Sequence, residues 1–274
     1  MGMREDPKTW FAESVEVLTY NRNQRVWSII VTIFGDLAQR PGDRISGAVL
    51  SRLTEPMGIK PEAMRVALHR LRGDGWIQSE REGRASHYSL TESGLAQSRA
   101  ASPRIYQRSL DTPEAWQLSV APPARQGGKG ARDKAMRRKG VLPVAPGVFL
   151  TSAQAETVPD SLTMVGIVDH VPDWLRHKIA PAPVMLAYED LEIALDRFAA
   201  KCEAMPPLGP LQIATLRTIL VHVWRKALFS HADLPPHFFP EGWKGPACRS
   251  KALDLLDRLG RPELAVLEQA GASP

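Results

Sequence analysis

Within one stretch of this chain the apolar spacing changes from that of a helix to that of a strand, and no other feature constrains the fold as much. The stretch is Pro61–Thr91, PEAMRVALHRLRGDGWIQSEREGRASHYSLT. Met64, Ala67, Leu68 and Leu71 recur at i, i+3, i+4 and i+7, so one face of a helix turns inward and Arg65, His69 and Arg72 are left on the other. Pro61 suits the first helical turn, where its missing N–H costs little, and Gly73 and Gly75 supply a stop before Trp76. Ile77–Glu82 and Ala85–Leu90 then read as two short strands around Gly83, with Arg81 and Arg84 at the bend. A helix followed by a basic-tipped hairpin is the pattern of a winged helix-turn-helix.

Residues upstream complete such a module. Val26, Ile29, Ile30, Ile33, Phe34 and Leu37 form the stripe of a first helix, and Ser46 can cap a second that carries Val49, Leu50 and Leu53. Pro56, Met57 and Gly58 separate the second helix from the third. In modules of this kind the helix after the turn enters the major groove and the wing touches an adjacent groove or the backbone. Arg65, His69, Arg72, Arg81 and Arg84 are therefore the candidate DNA-binding residues. The alternative is a packing helix whose arginines are merely solvated.

Three blocks of the chain carry a family resemblance. They are RVWSIIVTIFGDLAQRPGDRISGAVLSRLTEPMGIKPEAMRVALHRLRGDGWIQSEREGRASHYSLTESG from Arg25, LPVAPGVFLTS from Leu142 to Ser152, and LRTILVHVWRKALFSHADLPPHFFPEGWKGPACRSKAL from Leu216. In this order they resemble the PaaX family, transcriptional repressors of bacterial phenylacetate-degradation operons. The resemblance implies a repressor that binds double-stranded operator DNA, is relieved by an acyl-CoA effector such as phenylacetyl-CoA, and needs no resident cofactor. It also implies a middle fold shared with small CRISPR-associated nucleases, in which an acidic residue at the end of the first strand can hold a metal. Here Ala121, Pro122 and Pro123 stand in that segment, so nuclease chemistry is not expected. Two further departures are Lys60, where family members commonly carry a polar helix cap, and the extension Met1–Gln24.

The expected class is α+β: an N-terminal extension (1–24), a winged helix-turn-helix (25–110), a small ferredoxin-like middle domain (111–181) and a helical C-terminal domain (182–274). A chain of 274 residues has room for two or three such modules. The middle assignment rests on alternation at Trp116–Val120, a helix over Ala131–Lys139, strands at Gly147–Thr151 and Leu162–Val168, and a short helix over Pro172–Ile179. A helix leading away from the wing begins at Thr91, with Ser102 and Pro103 expected to interrupt it. Leu216, Ile219, Leu220, Val223 and Trp224 make a helix apolar over much of its circumference, to be buried against other helices or a second subunit. That surplus and a symmetric operator together suggest a homodimer.

Charge is uneven along the chain. Residues 101–150 hold nine Lys and Arg against three Asp and Glu, and the run Arg125, Lys129, Arg132, Lys134, Arg137, Arg138, Lys139 faces only Asp133. DNA phosphates, the phosphates of coenzyme A and plain solvation are all open to it. Near the C-terminus, Trp224, Arg225, Lys226, Phe238 and Trp243 combine cations with large apolar groups in and around the segment LPPHFFPEGW. This is either a core-capping loop or, together with Arg137 and Arg138, the wall of an effector pocket.

No enzyme is expected. The seven histidines form no HExxH or other metal spacing, Cys202 and Cys248 stand far apart, and no GxSxG, phosphate-loop or GxGxxG motif occurs, so neither catalytic nor metal-binding residues are assigned. Met1–Asn23 has acidic residues and no sustained apolar run, and Val26–Phe34 is too short and too interrupted for a membrane helix. A cytoplasmic protein without a membrane partner is the expectation.

Overall fold

The computed structural model describes residues 6–19, 25–83, 85–108, 116–122, 129–138, 140–153, 158–168 and 170–272. The class is α+β, with helices predominating over a three-stranded and a four-stranded antiparallel sheet. Two compact units interleave along the chain: residues 1–107, 193–225 and 249–274, and residues 108–192 and 226–248. No helix among the described residues is long and apolar enough to cross a membrane.

The first unit begins with α1 (Pro7–Leu18), formed by the extension and capped by Asp6, whose carboxylate accepts from the Thr9 amide. Its Trp10, Val15 and Leu18 are buried, and the Trp10 indole N–H donates to the Lys201 carbonyl at 3.2 Å. Then follow α2 (Val26–Leu37), β1 (Ile45–Ser46), α3 (Gly47–Thr54), α4 (Pro61–Gly73), β2 (Ile77–Glu82), β3 (Ala85–Leu90) and α5 (Glu92–Tyr106). The three helices bury Ile29, Ile30, Ile33, Phe34, Val49, Leu50, Leu53, Met64, Leu68 and Leu71 in one core. Ser46 caps α3 by accepting from the Val49 amide at 3.2 Å. Lys60 precedes α4 with no side-chain cap, and Pro61 removes one of the N–H groups that a cap would have to satisfy.

The end of α4 and the hairpin are built as the residue types require. Gly75 takes φ +68, which lets the Trp76 amide turn back to the Leu71 carbonyl and closes the helix. β2 and β3 pair in the register Ile77↔Leu90 to Glu82↔Ala85, and β1 joins on the far side of β3. Gly94, in the first turn of α5, lies so close to the Trp76 carbonyl that a Cβ there would stand 2.1 Å from its oxygen.

Pro103 does not interrupt α5 as expected; the helix runs on to Tyr106. Tertiary anchors on its last turn outweigh the lost backbone bond. The Tyr106 hydroxyl donates to Asp36 at 2.7 Å, the Trp224 indole to the Ile105 carbonyl at 2.9 Å, and Arg249 to the Arg104 and Gln107 carbonyls.

Parts of α8 (Ala182–Cys202), α9 (Pro210–Leu228) and α10 (Gly245–Leu259), with α11 (Leu264–Ala272), complete this unit. Leu216, Ile219, Leu220, Val223 and Trp224 of α9 are buried within the chain itself, so they leave no apolar surplus for a second subunit. Asp36, 1% exposed, receives the Arg217 guanidinium at 2.7 and 3.0 Å, the Tyr106 hydroxyl, and Arg261 at 3.3 Å. α11 sits on α3, where Leu267 enters the core and Glu268 accepts from the Ser46 amide at 2.8 Å. These contacts explain why C-terminal helices fold with the N-terminal ones.

The second unit contains β4 (Trp116–Val120), α6 (Lys129–Arg138), β5 (Leu142–Ala145), β6 (Val148–Ser152), β7 (Leu162–Gly166) and α7 (Asp173–Ile179). The sheet order is β5-β6-β4-β7, with every neighbouring pair antiparallel. β5 is a strand that sequence reading missed, because Pro143 cannot donate to a ladder; an edge position makes that tolerable. The second helix stands after the fourth strand and not between the third and fourth, where a ferredoxin-like order would place it. Leu142, Leu150, Val171, Ile179, Leu234, Phe238 and Phe239 form its main core. Arg176 fastens the proline-rich loop by donating to the Val171, His237 and Phe239 carbonyls.

Candidate nucleic-acid interface

α4 presents the face that its spacing demands. Met64, Ala67, Leu68 and Leu71 are buried, while Arg65, His69 and Arg72 are exposed on the outward side. Arg65 pairs with Glu62 one turn earlier at 3.0 Å, an exposed contact of a few tenths of a kcal/mol at most, so the guanidinium is free to exchange partners. Arg70, also exposed, lies 5.5 Å over the Trp27 ring and 3.6 Å from Asp74. Val66 stands among these polar groups at 70% exposure. The spacing that marks the outward face could have flagged it, yet a search for cations passes over an apolar residue.

The hairpin divides its charges by face. Strand alternation places Glu80 and Glu82 together, where Arg44 meets them at 3.8 and 3.4 Å, and turns the exposed Arg81 to the opposite side. His87 lies 3.8 Å from Glu82. Gly83 takes φ +60 at the bend, and Arg84 lies outside the described residues.

Trp224, Arg225, Phe238 and Trp243, four of the residues expected around an effector, are each engaged within their own unit. Arg137 is exposed on α6; the side chain of Arg138, like Arg125 and Lys139, lies outside what is described. Arg132 of the same run is already engaged, donating to the Pro122 carbonyl at 2.7 Å with its guanidinium 5.3 Å from the Phe149 ring centroid. Trp224 belongs to the core of the first unit and its N–H is used, so it does not line a pocket. Arg225 donates to the Ser28 carbonyl and hydroxyl, and burial pulls its pKa below the usual arginine value. Lys226 is exposed. Phe238 is core, and Trp243 stacks on Phe239 at 4.5 Å and 10° beside Tyr188 and His231. The aromatic groups of the proline-rich loop thus fill one another's space, which is the core-capping arrangement.

Sequence reading had no signal for several concavities among the described residues. An open cleft of about 710 Å³ is lined by Val120–Pro122 and Val158–Leu162 of the second unit. A small cavity of about 70 Å³ in the first unit lies beside Thr32, Trp76, Tyr106 and Arg225. Coenzyme A would not fit in the latter.

The chain is similar in sequence to known proteins over most of its length. A family described as PaaX-like protein matches residues 25–94, and its C-terminal domain matches residues 182–267. The chain belongs to the PaaX family. The transcriptional repressor PaaX of Escherichia coli (strain K12) is 24% identical over 267 residues, spanning 89% of this chain and 83% of the repressor. That relative is a repressor of transcription. The solved structure of the uncharacterized protein Rv0674 from Mycobacterium tuberculosis is 18% identical with a TM-score of 0.48, covering 90% of this chain and 98% of that one.

Proposed function

We propose that this chain is a sequence-specific DNA-binding transcriptional repressor, in which α2, α3, α4 and the β2–β3 hairpin act as a winged helix-turn-helix in the cytoplasm. The observation that carries this reading is the outward face of α4, where Arg65, His69 and Arg72 are all exposed opposite a fully buried stripe. The face enters the major groove, and Arg81, with Arg84 beyond it, meets the backbone or an adjacent groove. Kinship with a named repressor supports the same role. The second unit is read as a variant ferredoxin-like sandwich with its second helix displaced.

The repressor acts as a homodimer on an inverted-repeat operator. Support for the dimer passes from α9 to β7, an edge strand with Leu162 and Val165 at 68% and 63% exposure and Ile167 beside it, since open apolar edges recruit further strands. Light scattering at micromolar concentration tests this: wild type at twice the chain mass and Val165→Lys at one chain mass are expected, and a monomeric wild type that binds operator unaltered overturns it.

An acyl-CoA such as phenylacetyl-CoA releases the DNA, a reading supported by the family; Lys134 and Arg137 on α6 are exposed cations suited to its phosphates. Release requires tighter binding to the state that does not hold DNA, and the coupling is reciprocal. Calorimetry with free and operator-bound protein tests it: the thioester should bind the free protein more tightly, and equal affinities rule out induction. A second reading, repression without small-molecule control, is favoured by the mutual filling of Phe239, Trp243 and Tyr188. Absence of thioester binding would establish it.

A further inference from the structure

The outward face of α4 is not uniformly basic. At roughly 100° per residue, Glu62, Val66, His69 and Gly73 lie within about 40° of the line opposite the buried stripe, while Arg65 and Arg72 occupy one flank and Arg70 the other. Val66 is 70% exposed, and among the described residues of the first unit no large apolar side chain is more so. Nothing in folding favours it there. A β-branched residue is a poorer helix former than alanine, and at this exposure Val66 contributes little to the core. Gly73, on the same line, has no atom within 4 Å of where a Cβ would stand, so the centre of the face is open for close approach.

We infer that Val66 reads thymine, packing its methyl groups against the C5-methyl of a thymine in the major groove, while the arginines on either flank hold phosphates of the two strands. The inference rests on the DNA-binding reading above. It is argued from charge complementarity and shape. A groove about 12 Å wide accepts a helix of about the same diameter, so flanking side chains meet the phosphate walls and central ones meet base edges. Among the bases only thymine offers an apolar group there. Of the central groups with a side chain, Glu62 carries a negative charge that the phosphate-lined groove disfavours, which leaves Val66 and His69 to meet base edges.

The test uses the full-length chain and an operator enriched from a random duplex pool. Each thymine is replaced in turn by deoxyuridine, which removes only the C5-methyl. At one position per half-site, wild-type affinity should fall about fourfold, the worth of one buried methyl. Val66→Ala should bind the thymine and uracil operators equally at that position, and Val66→Thr, which keeps one methyl, should retain part of the discrimination. Both variants alter an exposed side chain, so folding is not at stake. Indifference of wild type to uracil everywhere, or undiminished discrimination by Val66→Ala, overturns the inference. A pool that yields no enriched sequence instead defeats the DNA-binding reading itself.

Discussion

Replacing Asp36 by alanine tests the reason that the C-terminal helices fold with the N-terminal ones. Asp36 is 1% exposed and accepts two bonds from Arg217, at 2.7 and 3.0 Å, and one from Tyr106. Its loss leaves Arg217, 5% exposed, with the Leu256 and Gly260 carbonyls, and takes the same carboxylate from the half-exposed Arg261. Removing one partner of a buried pair costs about 3–5 kcal/mol, because a buried charge is stranded. The size is set by the stranding, so removing both charges should be far milder. Asp36→Leu with Arg217→Met should recover at least half of the loss, since apolar groups of similar volume often replace a buried pair without penalty. Urea unfolding followed by tryptophan fluorescence measures Asp36→Ala, the double variant and its two constituent single variants, and so the double-mutant coupling. A cost below about 1 kcal/mol for Asp36→Ala, or a double variant as unstable as the sum of the singles, would show that the pair does not hold these helices together.

Arg65→Ala and Arg72→Ala should each weaken operator and bulk DNA alike and lower the slope of log K against log salt by about 1, as phosphate contacts do; unchanged titrations for both would remove α4 from the interface. Arg81→Ala should likewise flatten that slope by roughly 1 with little change in sequence preference. Burial, and then the neighbouring Asp36 carboxylate, raises the Tyr106 phenol well above the usual tyrosine value. Its folded pKa exceeds its unfolded one, so this stabilisation is complete below about pH 10 and is lost as pH climbs beyond it. Tyr106→Phe should abolish that part of the alkaline decline in urea midpoint. Cys202 and Cys248 are buried and burial pushes the Cys202 thiol up to about 11, so both should resist an aromatic disulfide reagent at pH 8 until urea unfolds the chain.

Helix and strand periods are local properties, and they were legible wherever one face is buried. The stripe Met64, Ala67, Leu68, Leu71 and the cap at Ser46 needed no tertiary information, because the alternation of buried and solvated positions is written at fixed spacing. The exposed cations of α4 followed by elimination, being whatever the buried stripe left outside. Partnership between distant segments is different in kind. Nothing local marks Arg217 as the counter-charge of Asp36 or Ile105 as the acceptor for Trp224, since a buried polar group is satisfied by whichever segment the fold delivers. The same reason carries α5 through Pro103, where long-range anchors override an intrinsic preference. It also turns the apolar surplus of α9 into core and the aromatic residues near Trp243 into a self-filled cluster. Sequence spacing decided which faces these elements would present, and only the tertiary structure decided what each face meets, because burial depends on the whole fold while periodicity depends on a few neighbouring turns.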